Sequence, residues 1–219
     1  MNVEKSKKNV WKRILIFTLM FIAAGGITYF GCLFYQTKTD MLLRNTVMIL
    51  AGTGVVIFSF VLSEINGFFV YHNEGRYGRF AFMYIISLGA AVFLPYLPVA
   101  GWPFLVIFIL LGVFSNGMTG LAAGSLCLLL SVNFAGCDYA IFWLYFISGL
   151  AGILVFSTLD DDFRVGLPLL ISILVLALCL MGNVILFVNA KLSIGQFTIP
   201  AVNLMVSCIL LLVSLKMFS

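Results

Sequence analysis

The chain has 219 residues, 63% of them hydrophobic and 9% charged, with a formal net charge of +4. A soluble domain runs at roughly 45–50% apolar and about 25% charged residues, so a surface made from this chain is not built for water. The composition excludes a soluble globular enzyme and a folded basic surface for nucleic acid. It implies helices, because a segment in hydrocarbon must satisfy its own backbone hydrogen bonds.

One span takes roughly 20 apolar residues to cross about 30 Å of hydrocarbon. Residues 1–10 read as a basic cytoplasmic terminus and 11–219 as a single transmembrane helical domain. The first span runs from about Trp11 to Tyr35 and is closed by the polar stretch Gln36 to Asp40. Its apolar run exceeds the roughly 7–15 residues of a signal-peptide core, so it is expected to be retained. The second covers about Thr46 to Ser63, and a polar loop from Glu64 to Arg79 follows. The third, about Phe80 to Leu97, ends at Pro95 and Pro98, which cannot continue a regular helix. Two short spans come next, about Trp102 to Phe114 and about Met118 to Phe134, with Ser115, Asn116 and Gly117 as the turn between them. The sixth, about Ala140 to Leu159, stops at the charged run Asp160 to Arg164; the seventh is about Val165 to Val188, the eighth about Ile199 to Leu215. The expected fold is an all-α polytopic transmembrane helix bundle of about eight spans. The short arms of the hairpin from Trp102 to Phe134 also allow seven spans, or six plus a re-entrant hairpin.

Positive residues are retained on the cytoplasmic side. With eight spans the inside set is Lys5, Lys7, Lys8, Lys12, Arg13, Arg76, Arg79, Arg164 and Lys216, against Lys38, Arg44 and Lys191 outside. This places the chain in a cell membrane with both termini cytoplasmic, and the cluster from Lys5 to Arg13 beside anionic headgroups.

No catalytic constellation is legible, and the chain is expected not to be an enzyme. Cys32, Cys127, Cys137, Cys179 and Cys208 are scattered, and the sole histidine, His72, cannot build a zinc site alone. The consecutive Asp160, Asp161 and Asp162 cannot all face one ion from a helix. No metal and no cofactor are expected. Glu64, His72, Arg76 and Arg79 on one loop, and Asp160, Asp161, Asp162 and Arg164 on another, instead suit docking of a cytoplasmic partner or another membrane subunit.

Polar groups inside spans are few. Asn183 lies within the seventh span and Asn203 near the start of the eighth, and Asn116 and Asn133 bracket the fifth. They suit either interhelical hydrogen bonds or the orientation of a small apolar solute, with Trp102, Trp143 and Tyr145 as aromatic walls. Gly112, Gly117, Gly120 and Gly124 line the central hairpin, and Gly149 and Gly152 recur in the sixth span. Glycine at this spacing lets helix backbones meet closely.

The stretch from Pro98 to Pro103, the apolar run to Gly112, the turn at Ser115 to Gly117, and Gly120, Gly124 and the leucine-rich tail resemble a pattern in several small bacterial membrane families. One is the substrate-capture subunits of energy-coupling-factor vitamin transporters. A second is the membrane part of seven-transmembrane HD-hydrolase receptors, which Gly149 to Gly152 before the charged turn at Arg164 also resembles; the third is the rod-shape-determining membrane protein D family. The resemblance covers about residues 95–190. Eight spans exceed the six usual in capture subunits, Ala23 to Gly26 departs from an alanine-every-four docking face, and no hydrolase domain follows the bundle, so no catalytic residue carries over. Two roles follow: a solute-binding or transport component without its own energy source, or a non-catalytic scaffold or sensor subunit. The lipid bilayer surrounds either. A pore is disfavoured for want of a polar stripe.

Overall fold

The structure is a computed structural model that describes residues 2–68, 76–157, 166–187 and 194–218. It is all-α: α1 (Asn2–Phe34), α2 (Thr39–Ile65), α3 (Tyr77–Phe93), α4 (Phe104–Val113), α5 (Gly117–Ala135), α6 (Tyr139–Ser157), α7 (Gly166–Phe187) and α8 (Ile194–Phe218), with two 3-10 turns, Leu94–Tyr96 and Val99–Gly101, between α3 and α4. Among the described residues seven helices are long and apolar enough to cross a membrane; α4 with its leading turn, Val99–Val113, is shorter. The chain is a multi-spanning membrane protein.

Contacts along the helices fix their directions. At one end, Arg13 of α1 meets Glu64 of α2, Tyr77 of α3 touches both, and Ser59 of α2 bonds Thr119 in the first turn of α5. At the other end, Tyr35 bonds the carbonyl of Val92 and stacks on Phe134, and Asn133 reaches Asn45. Successive helices therefore run up and down between a Glu64 end and a Tyr35 end. The short α4 obeys the same alternation. It starts beside Tyr145 in the second turn of α6 and finishes beside Ile153 and Phe156 near the end of α6, so it runs parallel to α6 from the Tyr35 end toward the Glu64 end.

The expected central hairpin resolves into two unequal arms. At 19 residues, α5 is full length, capped by Asn116, whose Oδ1 accepts from the Thr119 N–H at 2.8 Å, and ended by Gly136 in the left-handed conformation at φ 61°. The ten residues of α4 rise only about 15 Å. Pro95, Pro98 and Pro103 explain the shortfall, since each denies a helix a donor and clashes with the preceding turn. All ten α4 residues are buried, which matches a helix apolar on every side.

Lipid supplies no hydrophobic drive between helices, so packing must be close. Glycine provides this around α4. A Cβ at Gly124 would sit 2.5 Å from the Phe108 ring and one at Gly149 2.4 Å from it, so α5 and α6 grip that ring from two sides. Gly152 admits Leu105 and Ile109 in the same way, and a Cβ at Gly120 would lie 2.4 Å from the backbone Cα of Gly112. Gly112 and Gly117 both face Ile153, at 3.2 Å, a contact with a movable side chain. The backbone clash makes Gly120 the least replaceable of the six.

Gly120→Ala should therefore lower thermal stability in detergent by about 1–3 kcal/mol through overpacking. Gly26→Ala, where an added Cβ meets nothing within 4 Å, should leave the midpoint unchanged. Equal midpoints for the two variants would remove the glycine contact from the account of how α4 is held.

Candidate functional site

The polar chemistry inside the bundle centres on the unwound segment ahead of α4. Residues 97–103 leave the helical ladder: the carbonyls of Pro98, Val99 and Trp102 accept from the nearby N–H groups of Gly101, Trp102 and Phe104, and the segment passes from exposed Leu97 and Pro98 into the bundle at buried Trp102. Side chains from two other helices complete the set. The Asn203 amide of α8 donates to the carbonyls of Ala100 at 2.8 Å and Trp102 at 3.1 Å, and also lies 3.3 Å from the Tyr145 hydroxyl oxygen. The Tyr145 hydroxyl of α6 donates to the carbonyl of Val99 at 2.6 Å. Trp102 donates its indole N–H to the Leu97 carbonyl at 3.2 Å, and Ser207 donates to the Asn203 Oδ1 at 3.1 Å. Trp102, Phe104 and Tyr145 pack their rings against one another beneath this net.

The residues expected to orient a solute do not converge. Trp102 and Tyr145 are fully buried and bound into the net just described. Asn116 caps α5 at the far end of α4, and its Nδ2 is buried without a partner. Asn133 reaches Asn45 at 3.5 Å, a long and weak hydrogen bond, near the Tyr35 end. Trp143 and Asn183 alone share a place, on the outside. They line an open groove of about 400 Å³ between α6 and α7, with Ala140, Leu144, Leu178, Cys179 and Gly182. A second open groove, of about 340 Å³ beside Phe17 and Ile57, is lined by α1 and α2. In the interior, the space beside Gly112, Gly117 and Ile153 amounts to about 10 Å³, no more than one water.

The residues expected to dock a partner divide as well. Glu64 faces inward: its Oε2 lies 2.8 Å from Arg13 Nη1, and the Tyr77 hydroxyl donates to its Oε1. The Arg13 guanidinium also covers the Tyr77 ring at 4.9 Å. This cluster ties α1, α2 and α3 together. Arg76 and Arg79 are exposed at the same end, with Arg79 5.8 Å over the Phe114 ring. His72, Asp160, Asp161, Asp162 and Arg164 fall outside the described residues. No group of three or more metal-ligating side chains occurs among the described residues.

Sequence reasoning noticed Asn203 only as a polar residue inside a span, and missed its role. Its signal was present: an asparagine in the last apolar segment and a proline-broken stretch elsewhere each need the other. The Thr53–Tyr84 hydrogen bond at 2.8 Å and the Ser131 hydroxyl on the Ala91 carbonyl at 2.6 Å join α2, α3 and α5, and neither is visible in spacing. At the Tyr35 end, the Tyr35 hydroxyl donates to the Val92 carbonyl at 2.8 Å. No family model, curated protein or solved structure matches the chain.

Asn203→Leu should take the side-chain partner from the Ala100 carbonyl, while the Trp102 carbonyl keeps the Phe104 N–H, and cost about 1–3 kcal/mol. Tyr145→Phe, losing the bond to the Val99 carbonyl and the longer one from Asn203, should cost about 0.6–1.7 kcal/mol per bond. Hydrogen exchange across residues 97–103 reads both: protection that is unchanged in Asn203→Leu would show that the net does not hold the segment.

Proposed function

We propose that this multi-spanning membrane protein is a non-catalytic scaffold or sensor subunit, acting through its ends and outer faces. The observation that carries the reading is the commitment of its interior. Trp102, Tyr145 and Asn203 are each bound to the protein's own backbone, and glycines close α5 and α6 onto Phe108. A capture protein reserves such groups for its solute. The end that carries Lys12, Arg13, Arg76, Arg79 and Lys216 is read as cytoplasmic, against Lys38 and Arg44 at the other, and exposed Arg76 is the centre of the docking face. Solute capture keeps one supporting observation, the meeting of Trp143 and Asn183 in the α6–α7 groove.

A photo-crosslinking residue in place of Arg76 should give one discrete protein adduct in native membranes, lost on Arg79→Glu, while a metabolite library leaves the thermal midpoint unmoved. A metabolite that raises the midpoint, with no adduct at position 76, would replace the scaffold reading with capture. Orientation has its own test in Cys137, which sits between α5 and α6 at the Tyr35 end. In a variant keeping only that cysteine, a membrane-impermeant maleimide should label intact cells. Burial raises the Cys137 thiol above its ordinary value, so thiolate is scarce at neutral pH and labelling should accelerate about tenfold per pH unit. Labelling only after lysis would invert the orientation.

A further inference from the structure

We infer that the α6–α7 groove is a binding site for a bilayer phospholipid, seated with an acyl chain along its floor and its glycerol ester at Asn183. The groove is open to the side of the bundle, where Trp143 and Leu178 are exposed. Its walls grade from polar to apolar with depth. Trp143 lies four residues from the start of α6 at Tyr139, or about 6 Å along the axis, and Asn183 of α7 lines the groove with it. Leu144, Leu178 and Cys179 line the deeper part. Trp at that level is where an amphipathic ring meets headgroups.

Asn183 points to the ligand's chemistry. Its amide has no hydrogen-bond partner among the described residues, unlike Asn45, Asn116, Asn133 and Asn203, each of which bonds within the protein. Asn183 is half-buried, and at headgroup level an amide without a protein partner takes an acceptor from its surroundings, which at the shallow end of an otherwise apolar slot suits a lipid. A phospholipid's ester carbonyl supplies that acceptor while its chain fills the slot below. The width of the slot comes from small side chains: a Cβ on Gly182 would meet nothing within 4 Å, so the space over it is free.

The test uses the full chain in detergent with Trp11→Phe, leaving Trp143 as the exposed indole and Trp102 buried in the interior. Phosphatidylcholine brominated on its acyl chains is titrated in, and quenching is followed alongside native mass spectrometry. Quenching should saturate with one lipid retained per chain. Asn183→Leu should weaken it about 3- to 10-fold, the value of one hydrogen bond within a membrane. Gly182→Phe, at a position where an added Cβ meets nothing within 4 Å, should fill the groove and abolish the saturable phase. Quenching that rises in proportion to lipid and is the same in both variants would mean annular contact only and overturn the site. Unquenched Trp143 in a dimeric protein would give the groove to a second copy and overturn it equally.

Discussion

The structure depends on keeping a stretch of non-helical backbone inside an apolar bundle. Three prolines break the chain between α3 and α4, and where the segment enters the bundle toward buried Trp102 its carbonyls lie where lipid cannot satisfy them. Asn203 and Tyr145 come from helices far away in sequence and close the account from either side. Once the segment is held, α4 has a fixed starting point, and its ten apolar residues have one place to go, the axis of the bundle. The glycines of α5 and α6 then follow as a requirement, since a helix buried on all sides needs neighbours without side chains where its largest rings project.

Seen this way, the two features that stand out in the sequence are halves of one device. The proline-rich approach to Trp102 supplies the break, and the glycine-spaced helices supply the cradle. Their meaning as a solute pocket would require the break to face a cavity, as broken helices in transporters do. Here the polar side chains turn onto the break itself, which converts a pattern typical of binding sites into a structural lock.

The class of fold was legible because composition reports on solvent: no arrangement of this chain hides its apolar surface from water. Helix ends were legible wherever charge, proline or a polar turn marked them, and the expected span from about Met118 to Phe134 lies within one residue of α5 at each end because Asn116 and Gly117 mark its start. The fate of single polar residues was not legible. Asn116, Asn133, Asn183 and Asn203 are equivalent in a one-dimensional reading, yet one caps a helix, one makes a long bond to another asparagine, one faces outward, and one holds the core. Helix rotation decides among these, and rotation is weakly encoded when nearly every face is apolar. Glu64 shows the same limit, for its loop position suggested solvent while Arg13, 51 positions earlier in the numbering, draws it inward.

Rotation also gives α6 its double character. Tyr145 and Trp143 are two residues apart and so lie on opposite sides of the helix, one fully buried against the α4 approach and the other exposed in the groove. Gly149 and Gly152, one and two turns further on, hold Phe108 and Leu105. Any molecule that wedges between α6 and α7 therefore presses on the helix that grips the central ring and anchors the unwound segment. Close packing leaves that grip little tolerance, because a side chain held at contact distance on two sides cannot yield gradually. The coupling needs no cavity inside the bundle: the outer groove and the inner lock are two faces of the same three turns.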